Sequence, residues 1–276
     1  MDRDRTPPVL RTAGAFALAD AADENFVTHA GWLHRRSAGM RVVDQDNLVL
    51  IDSGLPCDTF NVICHARLEP GDVLERASAA IAYFRDVRRP FSWWVGPADR
   101  PQDLGESLVR LGLNRAETER AMVADIAAVR LAEGVPPGLH VKRVRSAREL
   151  QTFARLSAAN WAPPDLNVVR FYELAGPALL QDDCPIWLYV GYLGEDAVAT
   201  AELTVGGGVV GLYNISTVPA YRRRGIGTAM TVQPLVEARE QGHRAAILQA
   251  AAAGVGIYER VGFRAYGEIT EYKPES

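Results

Sequence analysis

A run of arginines and glycines in the C-terminal half has the composition and spacing of a diphosphate-binding loop. It reads Arg222-x-x-Gly225-x-Gly227, and its glycines let a ligand approach the backbone closely. The run lies between an apolar, β-branched segment over 209–218 and a helical pattern over 228–242. The first amides of a helix have no partner within the helix, and the helix dipole favours an anion there. We therefore predict a strand, a loop and a helix whose backbone N–H groups bind phosphate.

A second motif, Tyr258-x-x-x-Gly262-Phe263, follows further along the chain. Together the two motifs resemble those of GNAT-superfamily N-acetyltransferases, whose loop reads (Gln/Arg)-x-x-Gly-x-(Gly/Ala). Either motif alone is short enough to recur by chance, but here both occur in the order and at the spacing of the family. The resemblance extends over 139–271 and implies an α/β (α+β) fold, in which a mixed central sheet is flanked by helices.

The resemblance implies acetyl-CoA or another acyl-CoA as the co-substrate, and no metal. The loop and the start of the helix would hold the pyrophosphate, and the strand before them would pair with the pantetheine arm. The implied contacts are Ile215, Ser216 and Thr217 on the strand, and Arg223, Arg224, Gly225, Ile226, Gly227 and Thr228 on the loop and helix. A backbone N–H of the same strand would polarise the thioester carbonyl.

The resemblance also implies a catalytic acid. Tyr258 lies four residues before Gly262 and five before Phe263, which is the position of the thiolate-protonating tyrosine of the family. A phenol with an ordinary pKa of about 10 can protonate a departing thiolate, whose ordinary pKa is about 8.5. We therefore expect Tyr258 to protonate the leaving thiolate.

The general base is harder to assign. At the two strand positions where family members carry a carboxylate, this chain has Gly211 and Ala246, and neither can accept a proton. The nearest carboxylate by topology belongs to Glu202, which we predict as the candidate catalytic base. An ordered water relayed by Tyr213 or Asn214 is an alternative, and an amine that arrives already neutral would need no strong base.

The first two helices of the C-terminal half and their loop would form the acceptor wall. The candidate lining residues are Asn160, Trp161, Phe171, Tyr172 and Tyr213. The expected reaction is direct transfer of an acyl group, most simply acetyl, to a primary amine of a small molecule in a ternary complex. Two alternatives remain open: a carrier protein presents the thioester donor, or the protein binds acyl-CoA without catalysis.

The composition indicates a soluble, cytoplasmic enzyme with no nucleic-acid or membrane partner. The chain has 276 residues, of which 48% are hydrophobic, and a net charge of −4 with both signs interspersed, so it carries no basic footprint for nucleic acid. No apolar run reaches the ~18 residues of a membrane span, and the charged N-terminus lacks the apolar core of a signal peptide. The three cysteines and five histidines have no metal-ligand spacing.

Prolines and glycines over 133–138 indicate a boundary between two domains. We predict an accessory or degenerate GNAT-like domain over 1–135 and an acyl-CoA-binding catalytic domain over 139–276. The expected order of elements in the second is β-αα-βββ-α-β-α-β. Its first helix should begin at Ser146, with Glu149 completing a capping box.

The N-terminal half has a weaker pattern. We predict strands over 59–67, 91–95 and 120–129, and helices over 70–88 and 103–111. Part of this half resembles the degenerate N-terminal halves of tandem GNAT proteins. It contains no Arg-x-x-Gly-x-Gly sequence, so we expect it to shape one wall of the cleft and not to bind coenzyme A in the usual way.

Overall fold

The computed structural model describes residues 15–45, 47–129 and 135–275, whose strands form one mixed sheet of eleven. The order across the sheet is β1-β2-β3-β4-β11-β5-β10-β9-β8-β7-β6. The strands are β1 (Arg41–Gln45), β2 (Leu48–Asp52), β3 (Val62–Cys64), β4 (Ser92–Val95), β5 (Leu113–Asp125), β6 (Leu139–Arg143), β7 (Ile186–Leu193), β8 (Asp196–Gly206), β9 (Val209–Thr217), β10 (Ala245–Ala250) and β11 (Arg264–Pro274).

Seven α-helices flank this sheet in the described part of the chain. They are α1 (Ala15–Gly31), α2 (Val73–Asp86), α3 (Leu104–Arg110), α4 (Ala147–Ala158), α5 (Leu166–Leu179), α6 (Ile226–Glu240) and α7 (Val255–Val261). The fold class predicted from the sequence, a mixed central sheet flanked by helices, is confirmed. None of the described helices is both long and apolar enough to cross a membrane.

The two ends of the sheet repeat the same arrangement. In the N-terminal half, β1, β2 and β3 are antiparallel neighbours and β3 pairs in parallel with β4. In the C-terminal half, β7, β8 and β9 are antiparallel neighbours and β9 pairs in parallel with β10. In both halves a helix connects the parallel pair, and a second helix leads to a final strand.

The final strand of each half is exchanged with the other half. Strand β11 lies between β4 and β5, and β5 lies between β11 and β10, with antiparallel pairing at each contact. The last strand of the C-terminal half thus pairs only with N-terminal strands. The hydrogen-bonded sheet is therefore continuous through the whole molecule, and the boundary predicted over 133–138 falls partly outside the described residues.

Strand β7 shows why helices cover both faces of the sheet. Its residues Trp187 and Tyr189 belong to the core that contains Met230 and Leu235 of α6. The alternate residues of the strand, over 186–190, belong to the core formed with α4 and α5. Alternating side chains of a strand point to opposite faces, and each buried Leu or Met contributes ~1.5–3 kcal/mol. Packing against the sheet therefore fixes α6, and with it the preceding loop.

Helix α1 packs against β8 and β9 of the C-terminal half. The approach is so close that a Cβ at Gly207 would lie 2.2 Å from the carbonyl oxygen of Ala21, and one at Gly211 would lie 2.1 Å from Asn25 Oδ1. The side-chain nitrogen Nδ2 of Asn25 donates to the carbonyl oxygens of Thr204, Gly206 and Val209 at 2.9, 3.1 and 3.2 Å. These contacts fix helix α1 against β8 and β9.

The predicted elements of the C-terminal half occur in the predicted order. Ser146 accepts a hydrogen bond from the Glu149 amide, so the predicted helix start is confirmed. In the N-terminal half, the strand predicted over 59–67 was wrong in extent, because a 3-10 turn occupies Asp58–Phe60 and β3 covers only Val62–Cys64. Arg67 forms an isolated bridge to Arg100. Helix α1 and strands β1 and β2 were not predicted.

Candidate functional site

Two neighbouring strands at the centre of the C-terminal half diverge and open a cleft. Strands β9 and β10 pair in parallel at residues 210–212 and 246–248. Their pairing ends there, although β9 continues to Thr217. From residue 213 onward, β9 keeps β8 as its neighbour but presents its other edge to the cleft. An extended ligand can therefore pair with the backbone of this edge as an additional strand would.

A β-bulge in β9 accompanies the divergence. On β8, Thr200 pairs with Ser216 and Glu202 pairs with Tyr213, so two residues of β9 oppose one residue of β8. Asn214 within this bulge has a φ of 51°, in the left-handed region that asparagine tolerates better than most residues. The bulge turns the Asn214 side chain toward Glu202, to which its Nδ2 donates at 2.9 Å.

The predicted phosphate loop lies directly after β9. Arg222 Nε donates to the carbonyl oxygen of Thr217 at 3.0 Å, while Arg223 and Gly225 adopt left-handed conformations, with φ of 61° and 81°. Gly225 is the N-cap of α6 and supplies no side-chain cap. The first amides of α6 therefore remain available to an anion, as an uncapped helix N-terminus requires.

The remaining predicted contacts divide between the loop surface and the core. Arg224 is exposed and lies over the Tyr221 ring, with its guanidinium carbon 5.5 Å from the centroid. The Ile226 side chain is buried in the core below the loop, so only its backbone can contact a ligand. Gly227 and Thr228 are partly exposed at the first turn of α6.

A cavity of about 530 Å³ adjoins the cleft and is lined by both halves of the chain. From β9 it includes Ile215, so the strand connects the cavity to the phosphate loop, and Ser216 is hydrogen-bonded to Thr200 at 2.8 Å. The five predicted acceptor-wall residues all line it: Asn160, Trp161, Phe171, Tyr172 and Tyr213. The N-terminal half contributes a second wall, in which Phe60 stacks on Phe171 with ring centroids 3.7 Å apart.

Tyr258 lines this cavity from α7. Its ring packs edge-on against Phe263, with centroids 6.1 Å apart, and its carbonyl oxygen accepts from the amides of Gly262 and Phe263. Burial, with a smaller contribution from the negative charge of Glu119, raises the pKa of the Tyr258 hydroxyl above its usual value. The phenol therefore remains protonated at neutral pH and is available as a proton donor.

Glu202 also lines the cavity but is almost completely buried. Its Oε1 accepts from Thr204 Oγ1 at 2.9 Å and lies 2.5 Å from His29 Nδ1, and its Oε2 accepts from Asn214 Nδ2 at 2.9 Å. Burial alone would raise the pKa of this carboxyl, but its interactions with His29, Asn214 and Thr204 together lower it. Glu202 is therefore a carboxylate within a fully bonded polar group.

His29 is the residue of this group that the sequence did not indicate. It stacks on the Tyr213 ring with centroids 3.7 Å apart and planes 5° apart, and the Tyr213 hydroxyl donates to Asn25 Oδ1 at 2.8 Å. His29 and Glu202 are 173 positions apart. A lone histidine on an unpredicted helix carries no sequence signal for such a contact.

The structure explains why positions 211 and 246 carry no carboxylate. A Cβ at Gly211 would lie 2.1 Å from Asn25 Oδ1 and 2.5 Å from the Tyr213 ring. Ala246 is fully buried and pairs with Val210 on β9. A side chain from α1 thus occupies the space at Gly211, and a carboxylate at position 246 would be buried in the hydrophobic core.

The cavity wall is acidic. Glutamates from three strands line it, and these are Glu117, Glu119, Glu202 and Glu271. No lysine or arginine is among the described lining residues. Burial, followed by the charges of Glu117 and Glu271, raises the pKa of Glu119 to about 7. The wall is therefore complementary to a cation.

Comparison with known proteins agrees with this geometry. A sequence model of the acetyltransferase (GNAT) domain matches residues 146–266, a segment that includes α4 to α7, the phosphate loop and Tyr258. This segment of the chain is therefore a GNAT acetyltransferase domain. A search among curated proteins gave no significant match to the chain.

Solved structures with the same fold span nearly the whole chain. A GCN5-related N-acetyltransferase from Kribbella flavida aligns with a TM-score of 0.69 and 19% identity, covering 92% of this chain and 96% of its own. A functionally unknown conserved protein from Staphylococcus epidermidis aligns at 0.62 and 15% identity, covering 86% and 94%. A tandem GNAT protein from the clavulanic acid biosynthesis pathway aligns at 0.59 and 15% identity, covering 96% and 95%. These likenesses extend the shared fold into the N-terminal half.

Proposed function

We propose that this protein is an acyl-CoA-dependent N-acyltransferase that transfers an acyl group, most simply acetyl, to a primary amine of a small molecule. The observation that carries the proposal is the course of β9. The free edge of β9 begins beside the cavity that Tyr258 and Glu202 line. The strand ends at Thr217, and the loop that follows it leads to the uncapped N-terminus of α6. A thioester bound along this edge places its reactive end in the cavity when its phosphates lie at the helix.

The donor would be held mainly through backbone groups. The amides of 225–228 would bind the diphosphate, with Arg223 and Arg224 contributing charge from the loop. The edge of 215–217 would pair with the pantetheine arm, and an N–H of this edge would polarise the thioester carbonyl. Along an extended strand the step from Tyr213 to Thr217 covers ~13 Å, which separates the reacting centre from the phosphates.

Tyr258 would protonate the leaving thiolate. Its raised pKa keeps the phenol protonated at neutral pH, and a thiolate with an ordinary pKa of about 8.5 is basic enough to take the proton. Glu202 would take part in the proton transfer at the acceptor side through the hydrogen-bonded group that it forms with His29.

The acceptor would be an amine that carries a positive charge before it reacts. Four glutamates line the cavity, and an ammonium is attracted by carboxylates that are shielded from bulk water. Aromatic side chains, including Trp161 and Phe171, would cover the carbon skeleton of the acceptor. In this proposal, residues 139–276 bind the acyl donor, and residues 1–135 form the remaining wall of the acceptor site.

Two other functions remain as alternatives. A carrier protein could present the same phosphopantetheine thioester, because the free edge of β9 recognises the arm and not the nucleotide. A non-catalytic acyl-CoA binder would keep the loop without turnover, and the missing carboxylates at positions 211 and 246 favour it.

Thiol release from acetyl-CoA, measured across a panel of primary alkylamines, diamines and amino sugars, tests the proposal. The expected result is amine-dependent release by the wild-type protein, with cationic diamines or amino sugars preferred over neutral alcohols. Binding of acetyl-CoA without release for any amine or carrier-protein acceptor would favour the non-catalytic alternative. No binding of acetyl-CoA at all would contradict every one of these functions.

A further inference from the structure

We propose that His29, from the N-terminal half, is the general base of the reaction and that Glu202 positions it. This inference rests on the proposed function. It assigns the proton-accepting role to a side chain outside the segment that matches the GNAT domain, so the active site would be built from both halves of the chain.

The hydrogen bond to Glu202 sets the state of the imidazole ring. A buried carboxylate only accepts hydrogen bonds, so the neutral His29 ring must carry its proton on Nδ1, which lies 2.5 Å from Glu202 Oε1. The lone pair of the ring is then on Nε2. That atom has no hydrogen bond to the described part of the chain, and His29 lines the cavity with 22% of its side chain exposed.

The His29 ring is held in this orientation by Glu202 at its edge and by Tyr213 against its face. It stacks on Tyr213, whose hydroxyl is bonded to Asn25 Oδ1, and Asn25 is bonded in turn to backbone carbonyls of β8 and β9. A flip of the imidazole would place Nε2 toward Glu202 only by breaking the 2.5 Å contact. The ring therefore keeps Nδ1 on Glu202 and leaves Nε2 for the cavity.

Glu202 itself is poorly suited to accept the proton. Its two oxygens already accept from Thr204 and Asn214 and contact His29, and its side chain is only 4% exposed. Its negative charge favours the imidazolium that forms when His29 takes a proton. The carboxylate thus acts through His29 and does not itself contact the amine.

The proton transfers balance as follows. The ammonium form of the acceptor first loses one proton to His29 Nε2, which releases it to solvent. The neutral amine nitrogen then attacks the thioester carbonyl, and one N–H proton passes to His29 Nε2 as the C–N bond forms. The C–S bond then breaks, and the Tyr258 hydroxyl gives its proton to the departing sulfur. The products are the amide and free coenzyme A thiol. Passage of the proton from the imidazolium to the Tyr258 phenolate through solvent restores both side chains.

Glu119 is the competing candidate. It lines the same cavity, and its pKa is raised to about 7, which would suit a base. It lies near Tyr258, as its effect on the pKa of that phenol shows. The two candidates make different predictions for the corresponding variants.

The first test does not require turnover. In ¹⁵N-histidine-labelled protein, two-bond ¹H–¹⁵N correlation spectra distinguish the tautomers, and His29→Gln identifies the signal. We expect neutral His29 as the Nδ1–H tautomer in the wild type and a loss of this preference in Glu202→Gln. A predominant Nε2–H tautomer in the wild type would overturn the inference, since Nε2 would then have no lone pair for the amine.

The second test is kinetic and uses acetyl-CoA with the best amine of the wild-type screen. His29→Gln should lower kcat by roughly 10²–10⁴-fold, the usual value of a positioned base, while the Kd of acetyl-CoA stays unchanged. The matched control is His140→Gln, an exposed histidine on β6 that stacks on Tyr192 away from the cavity. This control should keep the wild-type rate.

The pH profile separates the candidates. The acidic limb of kcat/KM reports the base of the free enzyme and should disappear in His29→Gln but persist in Glu119→Gln. The groups facing His29 are Glu202 on β8, Tyr213 on β9 and His34 beyond α1. The pKa of His34 is lowered to about 4 by burial, so His34 stays neutral across the range.

The outcomes are distinguishable. If the acidic limb of the kcat/KM profile is lost in Glu119→Gln and kept in His29→Gln, the base is Glu119. Equal turnover of His29→Gln and wild type would also overturn the inference while leaving the proposed function intact. A wild-type protein that binds acetyl-CoA but turns over no acceptor would contradict the proposed function, and the inference with it. Recovery of His29→Ala turnover by added imidazole would support the base role.

Discussion

Tyr258 is the side chain whose predicted role depends most directly on its surroundings. Tyr258→Phe keeps the ring and its contact with Phe263 but removes the proton donor. We expect kcat to fall by roughly 10²–10⁴-fold with little change in acetyl-CoA affinity. The rate of the wild type should also decline at high pH, above the ordinary pKa of a phenol, because burial raises the pKa of Tyr258, and the variant should lack this decline.

Steady-state kinetics from pH 6 to 11, with binding measured by calorimetry, test this expectation. A Phe variant with wild-type kcat would leave Tyr258 as a packing residue. A loss confined to acetyl-CoA affinity would instead mean that the hydroxyl holds the donor and is not the acid.

Gly227 offers a clean test of the phosphate loop. A Cβ at this position would meet only Thr217 Oγ1, at 3.9 Å, so Gly227→Glu fits the fold, and an acidic residue in the first helical turn favours the helix. We expect unchanged or higher thermal stability together with at least a ~10-fold rise in the Kd of acetyl-CoA, which corresponds to ~1.4 kcal/mol. Gly225→Glu is less informative because Gly225 has a φ of 81°.

Calorimetric titration measures the affinity, and Gly71→Glu is the matched control. Gly71 precedes α2 and has open space around its Cβ position, but the turn that begins α2 carries Glu69 and Asp72, which do not suit an anion. The control should bind acetyl-CoA as the wild type does. An unchanged Kd in Gly227→Glu would show that the loop does not hold the diphosphate.

At the residue scale, sequence predicted what lies within a local motif and missed what the fold brings together. The phosphate loop and Tyr258 occur in short spacings that one strand and one helix can position. His29 and Asn25 reach the site because α1 packs on Gly207 and Gly211, which lie far along the chain in the C-terminal half. That contact depends on the absence of side chains at Gly207 and Gly211, which no periodic pattern reveals.

At the scale of elements, the start of α4 gives the simplest test. Ser146 Oγ accepts from the Glu149 amide at 3.3 Å, and Glu149 Oε2 accepts from the Arg145 amide at 2.9 Å. Ser146→Ala should lower the free energy of unfolding by about 1 kcal/mol, the usual effect of losing an N-cap. Gln151→Ala, at an exposed position within α4, is the control and should change the stability by less than ~0.5 kcal/mol.

Urea unfolding followed by circular dichroism gives both values. Equal stabilities for Ser146→Ala and Gln151→Ala would show that the cap contributes nothing measurable. The same comparison can be made at low pH, where Glu149 becomes protonated. Hydrogen bonds from Arg145 and Ser146 lower the pKa of Glu149 despite the opposing effect of partial burial, so its contribution is lost as the pH falls through that lowered value.

Strands β5 and β11 bring like charges together in the cavity wall. Their pairing places Glu117 opposite Glu271, two residues from Glu119, and the pKa of Glu119 is raised to about 7. A raised carboxyl pKa means that the folded state binds more protons, so stability is lost as the pH rises from about 4.5 to 7. Glu119→Gln should therefore be more stable than wild type at pH 8 and show a smaller difference at pH 4.5.

Urea unfolding of both proteins at the two pH values tests whether the stability difference is larger at the higher pH. A Glu119→Gln variant with the same stability difference at both would mean that Glu119 titrates in the folded protein as it does in the unfolded chain. The sequence predicted only the C-terminal part of this strand, because 113–120 is polar and exposed along most of its length. Pairing with β11 holds this polar segment in the sheet despite that composition.

At the scale of the whole molecule, the exchanged strands make the two halves depend on each other. The C-terminal half alone would lose both partners of β11 and the β5 partner of β10. We expect residues 135–276 expressed alone to show no cooperative unfolding transition, and the intact chain to unfold in one transition. Differential scanning calorimetry tests both, and an isolated C-terminal half with a cooperative transition would contradict the prediction.

A similar argument predicts one binding site per chain. Both halves contain a parallel strand pair joined by a helix, but only the C-terminal helix follows an Arg-x-x-Gly-x-Gly loop. Calorimetric titration of coenzyme A should therefore give a stoichiometry of one. Two sites per chain, or one that survives Gly227→Glu, would assign binding to the N-terminal half.

The exchange of β5 and β11 also changes what the covalent link between the halves does. With each half supplying the last strand of the other, the arrangement has the geometry of a two-subunit complex joined into one polypeptide. Cutting the chain between residues 129 and 135 would turn an intramolecular assembly into a bimolecular one, in which the effective concentration set by the linker is lost. The cavity would then form only above a threshold protein concentration, so its occupancy would depend on dilution.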